Sequence, residues 1–280
     1  MLQTQIKDKP FALLPSDVPC DIVKKWLATA THQIQQSQIN KLNSIVHTTV
    51  TRGGISTTTV ARAQNINNAY SAVVNLDYFP VTVTQLPIVN GVRQSPSEFL
   101  EHIRKNINSF VDTKYAEFEP YNYYGVDDRN LWNSNNPLDA VVAIDIDGPD
   151  NGSVIVSEYN SKGWTFSTIF DPKYGQHPVS GNRDFGYTEN TDGSYTFYSR
   201  GVDRLTSWDL TIVQNATGIP FSQADALWIS FQTKIDAYVK ANGGVSAIRS
   251  TEIYRPNWDQ VKAVLDGRAP LSTLSKDCKD

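Results

Sequence analysis

A chain of 280 residues is long enough to build a self-sufficient core, removing roughly three quarters of its surface from water on folding. Charged residues are 19%, below the usual quarter or so, and the net charge of −4 comes without any Lys/Arg block, which excludes the basic face that nucleic acid binding needs. No apolar run approaches the roughly 18 residues of a membrane span, and Met1 to Pro15 lacks the basic-then-apolar layout of a secretory signal.

Residues 1–20 carry three prolines and little periodicity, and predict an extended arm ahead of one domain over 21–280, with 133–137 the one place where a subdivision could fall. Apolar residues at helical intervals predict a helix from Asp21 to about Val46 with a break near Gln38. His47 to Ala61, Thr-rich around Gly53-Gly54, has a hairpin signature, and Ala69 to Val89 holds two more strand-like runs before the Asn90-Gly91 turn. Ser95-Pro96-Ser97-Glu98 combines a cap, a proline at the first helical position and a capping-box Glu, predicting a helix from Ser95 to Asp112. Tyr115 to Trp132 is rich in aromatics and acids without a period, and is expected as a long ordered loop whose tyrosines could stack on sugar rings.

From Ala140 onward, strands come at hairpin spacing: Ala140 to Ile146, Ser153 to Glu158, Trp164 to Phe170, Ser194 to Arg200 and Thr206 to Val213. Ser222-Gln-Ala-Asp225 then opens a helix running to Asn242, and a last helix covers Asn257 to Asp266. Runs of strands framed by helices, with no βαβ alternation, predict an α+β fold: a central antiparallel β-sheet flanked by several α-helices.

The densest polar chemistry lies between His177 and Arg204. Pro178 and Gly181 would pin a rigid turn over His177 to Arg183. His177, Ser180 and Asp203 are the candidate catalytic residues, with His177 as general acid/base or as orienter of Ser180; Arg183, Arg200 and Arg204 are the candidate substrate-binding residues for an anionic or carbonyl oxygen. The competing reading pairs Arg183 and Arg204 with Asp184 and Asp203 as fasteners between two strands. Ser180 does not sit in a G-x-S-x-G elbow, so an enzyme here would be a metal-independent hydrolase of another kind. Asp145, Asp147 and Asp150 could ligate Ca²⁺, although Asp-Gly and Asn-Gly turn preferences explain that stretch more simply. Histidines and cysteines lack zinc spacing and no cofactor fingerprint is present. Cys20 and Cys278 are read as free thiols, with a disulfide as the alternative if the protein is exported.

The block H-P-V-S-G-N-R-D-F-G-Y followed by Y-T-F-Y-S-R-G-V-D-R is similar to uncharacterised bacterial proteins associated with toxin or effector cargo, including cargo of contractile injection systems, over Asn136 to Thr211. The resemblance implies a protein loaded into a delivery machine and brings no active-site residues with it. The leading expectation is therefore a bacterial effector with a His/Arg-lined cleft, cytoplasmic in the producing cell and exported without a signal. Its rival is a non-catalytic module that recognises carbohydrate or a protein partner.

Overall fold

The computed structural model describes residues 15–148 and 150–279. Most of the expected N-terminal arm, and Pro149 of the Asp147 to Asp150 turn, lie outside the described residues. The fold is α+β, and its frame is a large antiparallel sheet.

The chain enters through helices α1 (Cys20–Thr31) and α2 (Gln36–Asn43). The expected break falls at His32 to Gln35, ahead of Gln38, because Gln38 closes a capping box with Gln35 and fixes the start of the second helix. The hairpin β1 (Val46–Val50) and β2 (Ser56–Val60) stands apart from the main sheet, and β3 (Arg62–Ala63) returns to it. The two strand-like runs before Asn90 are one long strand, β4 (Asn75–Gln85), and a short hairpin, β5 (Ile88–Val89) with β6 (Val92–Arg93). Helix α3 (Pro96–Lys105) starts as its capping box requires, with Ser95 and Glu98 each accepting from the other's backbone N–H.

The expected loop at Tyr115 to Trp132 is instead structured. It holds the edge strand β7 (Ala116–Pro120), the hairpin β8 (Asn122–Tyr123) with β9 (Val126–Asp127), and α4 (Arg129–Asn133). Alternation in Ala116-Glu-Phe-Glu119, buried and exposed in turn, is the period-2 signal of that strand. The tyrosines pack on one another and on their neighbours: Tyr121 is buried with its hydroxyl on Asp171 at 2.8 Å, and its ring meets Tyr123 edge-on.

Strands β10 (Val141–Ile146), β11 (Gly152–Asn160), β12 (Gly163–Phe170), β13 (Val179–Glu189) and β14 (Tyr195–Leu205) follow as hairpins. Where a strand was expected over Thr206 to Val213, the chain forms α5 (Trp208–Thr217), closed by Gly218 in the left-handed region at φ 72°. The β-branched residues there favour a strand locally, yet β14 already spans eleven residues of pairing and the packing of α5 against α6 decides the outcome. Helix α6 (Ile219–Ala241) begins three residues before Ser222, since Pro220 is well placed in a first turn. The chain ends with β15 (Val245–Ile248), β16 (Glu252–Tyr254) and α7 (Trp258–Leu265), capped by the Asn257 side chain.

Across the sheet the order is β15, β4, β14, β13, β12, β11, β10, β7, with β16 also on β4 and β3 on β12. One face carries Phe79, Phe166, Phe185 and Phe197 and packs against α3 and the apolar stripe of α6, including Trp228, Phe231 and Ile235. The other face is divided. Trp26 of α1 and Trp258 of α7 cover Leu76 and Val202 at one end, and Leu42 of α2 with Tyr121 covers Val141, Ile155 and Ile169 at the other. The middle of that second face is polar. No helix among the described residues is long and apolar enough to cross a membrane.

The two cysteines form a disulfide, which corrects the reading of both as free thiols. Cys20 opens α1, and the last residues return beside it, with Ser16 bridged to Ser275 and the Cys20 N–H donated to Asp277 at 2.8 Å.

Candidate functional site

The segment from His177 to Arg183 is not a turn. From Val179 it is a strand, paired with β14 so that Ser180 faces Arg204, Gly181 faces Asp203 and Arg183 faces Gly201. Successive residues of a strand point to opposite faces. The pairing therefore separates the six expected site residues: His177, Arg183 and Asp203 turn to the α6 side, while Ser180, Arg200 and Arg204 turn to the α1 side. They share no opening.

On the α1 side each is a fastener. Ser180 is buried and accepts a hydrogen bond from Gln64 at 3.1 Å. Arg204 donates to the carbonyls of Ile66, Ala69 and Ser71 and stacks over Trp258, pinning the segment before β4 to the sheet. Arg200 pairs with Asp184 at 2.7 Å and donates to Thr29 of α1. Of the expected strand fasteners, Arg200 rather than Arg204 takes Asp184.

The α6 side holds a cavity of about 220 Å³ between the sheet and α6. Its walls are apolar, with Phe118, Phe166, Leu205, Phe221, Leu227 and Trp228 among them, and its rim at the β10–β11 turn carries the exposed Asp147 and Asp150. Asp145 sits farther back on β10, opposite Glu117, and no group of three His, Cys, Asp or Glu side chains among the described residues is placed to hold a metal ion.

His177, Arg183 and Asp203 supply polar groups to this wall. His177 lies flat against Gly152, where a Cβ would overlap its Cδ2 and Cγ. Its Nδ1 accepts the Val179 N–H at 3.2 Å, and its own backbone N–H goes to Gln64 Oε1 at 2.6 Å. Burial pushes the imidazole down to about 4, so it is neutral at ordinary pH. With Nδ1 accepting, the single proton must sit on Nε2, which has no protein partner among the described residues. His177 is thus a fixed donor facing an apolar hollow. A ring so hard to protonate is a poor general base at neutral pH.

Arg183 is clamped. Its Nη2 and Nη1 reach Asp77 at 2.6 and 2.9 Å, Nη1 also reaches Ser199, and the guanidinium lies 4.2 Å from the centre of the Trp228 ring. Gly201 makes this possible, because a Cβ there would overlap Arg183 Nη2. Asp77, buried completely, also accepts from Asn75 at 2.8 Å and from the Gly201 N–H at 2.9 Å. Beyond it Arg255 holds Asp225 with two bonds at 2.6 and 2.7 Å. Two guanidiniums therefore serve three carboxylates, Asp77, Asp203 and Asp225. Asp203 is the one left over, at 3.8 Å from Arg183, and burial followed by the neighbouring Asp77 charge pushes it up to about 7.

The two shifts oppose each other in the pH dependence of stability. Asp203, raised from 3.8, adds stability that is full below its ordinary value and fades as pH rises through about 7. His177, lowered from 6.5, adds stability that is full above its ordinary value and fades as pH falls toward 4. Between pH 4 and 7 the two largely cancel. Relative to wild type, thermal midpoints measured across that range should fall more steeply on acidification in Asp203→Asn, which removes the opposing Asp203 contribution, and more steeply on raising the pH in His177→Asn, which removes the opposing His177 one. Curves parallel to wild type in both variants would remove these assignments.

No family model matches the chain, and no curated protein matches it. Among solved structures it is similar to the di-domain ARO/CYC StfQ from the steffimycin biosynthetic pathway, at 11% identity and a TM-score of 0.40, over 60% of this chain and 51% of that one. The chain thus spans about half the length of that protein. It is also similar to protein Ms6760 from Mycobacterium smegmatis, at 12% identity and a TM-score of 0.33, over 64% of this chain and 94% of that one. Ara h 8.0201 matches at 7% identity and a TM-score of 0.32, over 56% of this chain and 96% of that one.

Proposed function

We propose that the chain binds a small, largely apolar molecule in the cavity beneath α6 and holds an accepting oxygen of that molecule, a carbonyl or hydroxyl, against His177. The observation that carries this reading is that the Nε2–H of His177, on the wall of an apolar hollow, has no acceptor among the described residues. That N–H opens onto the hollow, and a ligand oxygen accepting it there would gain about 0.5–1.5 kcal/mol, the net worth of one hydrogen bond. An apolar cavity of about 150 Å³ is known to hold benzene, so 220 Å³ is ample for a substituted ring. Charge at this end of the cavity is already committed to Asp77 and Asp225, which favours a neutral ligand over an ionic one.

Binding, rather than turnover, is the activity this wall supports, since the histidine is neutral and the arginine is locked. The resemblance to injection-system cargo adds delivery to the proposal, and the disulfide is the feature that supports it, because such bonds persist outside a reducing cytosol.

Aromatic ketones and the corresponding hydrocarbons should be compared by thermal shift and by native mass spectrometry. Ketones are expected to raise the midpoint more, and His177→Phe to cut their advantage over hydrocarbons by about tenfold in affinity, the worth of one buried hydrogen bond. Ala224→Trp, which fills the cavity from α6, should abolish both. Failure of every compound to bind wild type, or undiminished binding in Ala224→Trp, would end the proposal.

A further inference from the structure

The wall that carries His177 offers a second polar atom, on Asp203. Along that face of β13 and β14 the positions run from His177 to Val179 beside Leu205, and then to Gly181 beside Asp203, and all of them line the cavity beneath α6. Asp203 Oδ2 accepts from the Asn75 amide at 3.4 Å and lies 3.8 Å from Arg183, whereas Oδ1 accepts from nothing among the described residues. Oδ1 is not one of the enclosed side-chain atoms that lack a partner, so it opens onto the hollow. Gly181, across the ladder, has no side chain to cover it, and a Cβ there would overlap Asp203.

The donor of His177 and the acceptor of Asp203 stand at opposite ends of an apolar stretch. Gly181 follows His177 by four residues, so their backbones are at most about 13 Å apart, and Val179 and Leu205 fill the interval. The charges around Asp203 select what can reach it. A cation would meet Arg183 and Arg255, and an anion would meet Asp77 and Asp225 as well as Asp203 itself. A hydroxyl carries no charge, and because it both donates and accepts it suits the carboxyl whether that group is ionised or protonated.

We propose that Asp203 is a second recognition point of the cavity, accepting a hydrogen bond from a ligand hydroxyl that lies across an apolar body from the oxygen held by His177. Asp203 acts in this way only if the cavity is a ligand site, as inferred from His177. It narrows the ligand to neutral molecules with an accepting oxygen at one end, a hydroxyl at the other, and a ring or short chain packed on Val179, Leu205 and Trp228 between them.

Benzylacetone, its para-hydroxy derivative and the methyl ether of that derivative should be compared by isothermal titration calorimetry on the intact protein at pH 8. Burial and the Asp77 charge raise Asp203 only to about 7, so at pH 8 it is chiefly ionised and can accept but not donate. The hydroxy compound is expected to bind about tenfold more tightly than the other two, the low end for a hydrogen bond to a charged group. In Asp203→Leu, whose folding is checked by its thermal midpoint, the hydroxy compound should lose that advantage. An advantage that survives in Asp203→Leu, or a wild type that binds the hydroxy compound no more tightly than the ether, would overturn the role of Asp203 and leave the cavity reading standing. Failure of all three compounds to bind wild type would instead end the cavity reading and the role of Asp203 with it.

Discussion

Replacing Arg183 by methionine is expected to destabilise the protein by about 3–5 kcal/mol, the cost of removing one partner from a buried ion pair. The methionine can occupy much of the volume beside Trp228, so the loss comes chiefly from Asp77, which is fully buried and keeps only the Asn75 amide and the Gly201 N–H. Asp203 then faces Asp77 without the guanidinium between them, and is driven further toward its protonated form. A carboxyl group such as Asp203, raised in the folded state, stabilises it at low pH and loses that contribution as pH rises. The deficit should accordingly be larger at pH 8 than at pH 5. Adding Asp77→Asn should recover part of it, because the amide removes the buried charge while its one oxygen keeps only one of the two bonds from Asn75 and the Gly201 N–H. Urea unfolding of the two single variants and the double at both pH values checks this. A loss below about 1 kcal/mol in Arg183→Met would mean that hydrogen bonds alone satisfy Asp77.

Helix starts were legible wherever local chemistry fixes them. Ser95 and Glu98 satisfy each other's backbone N–H, and Asn257 caps α7, with no help from the rest of the chain. The order of hairpins from β10 to β12 was legible for the same reason, as turns at Asp-Gly, Asn-Gly and Lys162-Gly163 are local. Thr206 to Val213 was not, because its β-branched residues point one way and its packing against α6 the other.

The candidate site was misread through a single step. Taking His177 to Arg183 as a turn allows its side chains to converge, whereas a strand forbids it: Ser180 and Arg183 are three residues apart, and so are Arg200 and Asp203, which puts each pair on opposite faces. Parity alone sorts all six residues correctly once β13 is recognised. Tyr187, Phe185 and Val179, each an odd number away from Ser180, were the alternating signal available.

Breaking the Cys20–Cys278 disulfide is expected to have the other large effect. The bond closes a loop spanning 258 residues, and the chain-entropy argument gives about 5 kcal/mol for confining the unfolded state to such a ring. Native contacts at the junction survive its loss: Ser16 accepts the Lys276 N–H at 2.9 Å, Leu274 accepts the Ser16 N–H at 3.0 Å, and Ser275 holds Val18. The folded structure of Cys20→Ser with Cys278→Ser should therefore change little, and the effect should appear in the unfolded ensemble. That distinction can be measured. If the disulfide acts on the unfolded chain, the variant's denaturant slope rises as its unfolded state expands, while the environment of Trp26, fully buried and bonded to the Asp77 carbonyl at 2.8 Å, remains as in wild type. If instead the bond holds α1 against the sheet, Trp26 fluorescence should shift before global unfolding, with no change in slope. A loss of stability below about 1 kcal/mol would contradict both accounts, for a ring of this size cannot be opened so cheaply unless the unfolded chain is already collapsed.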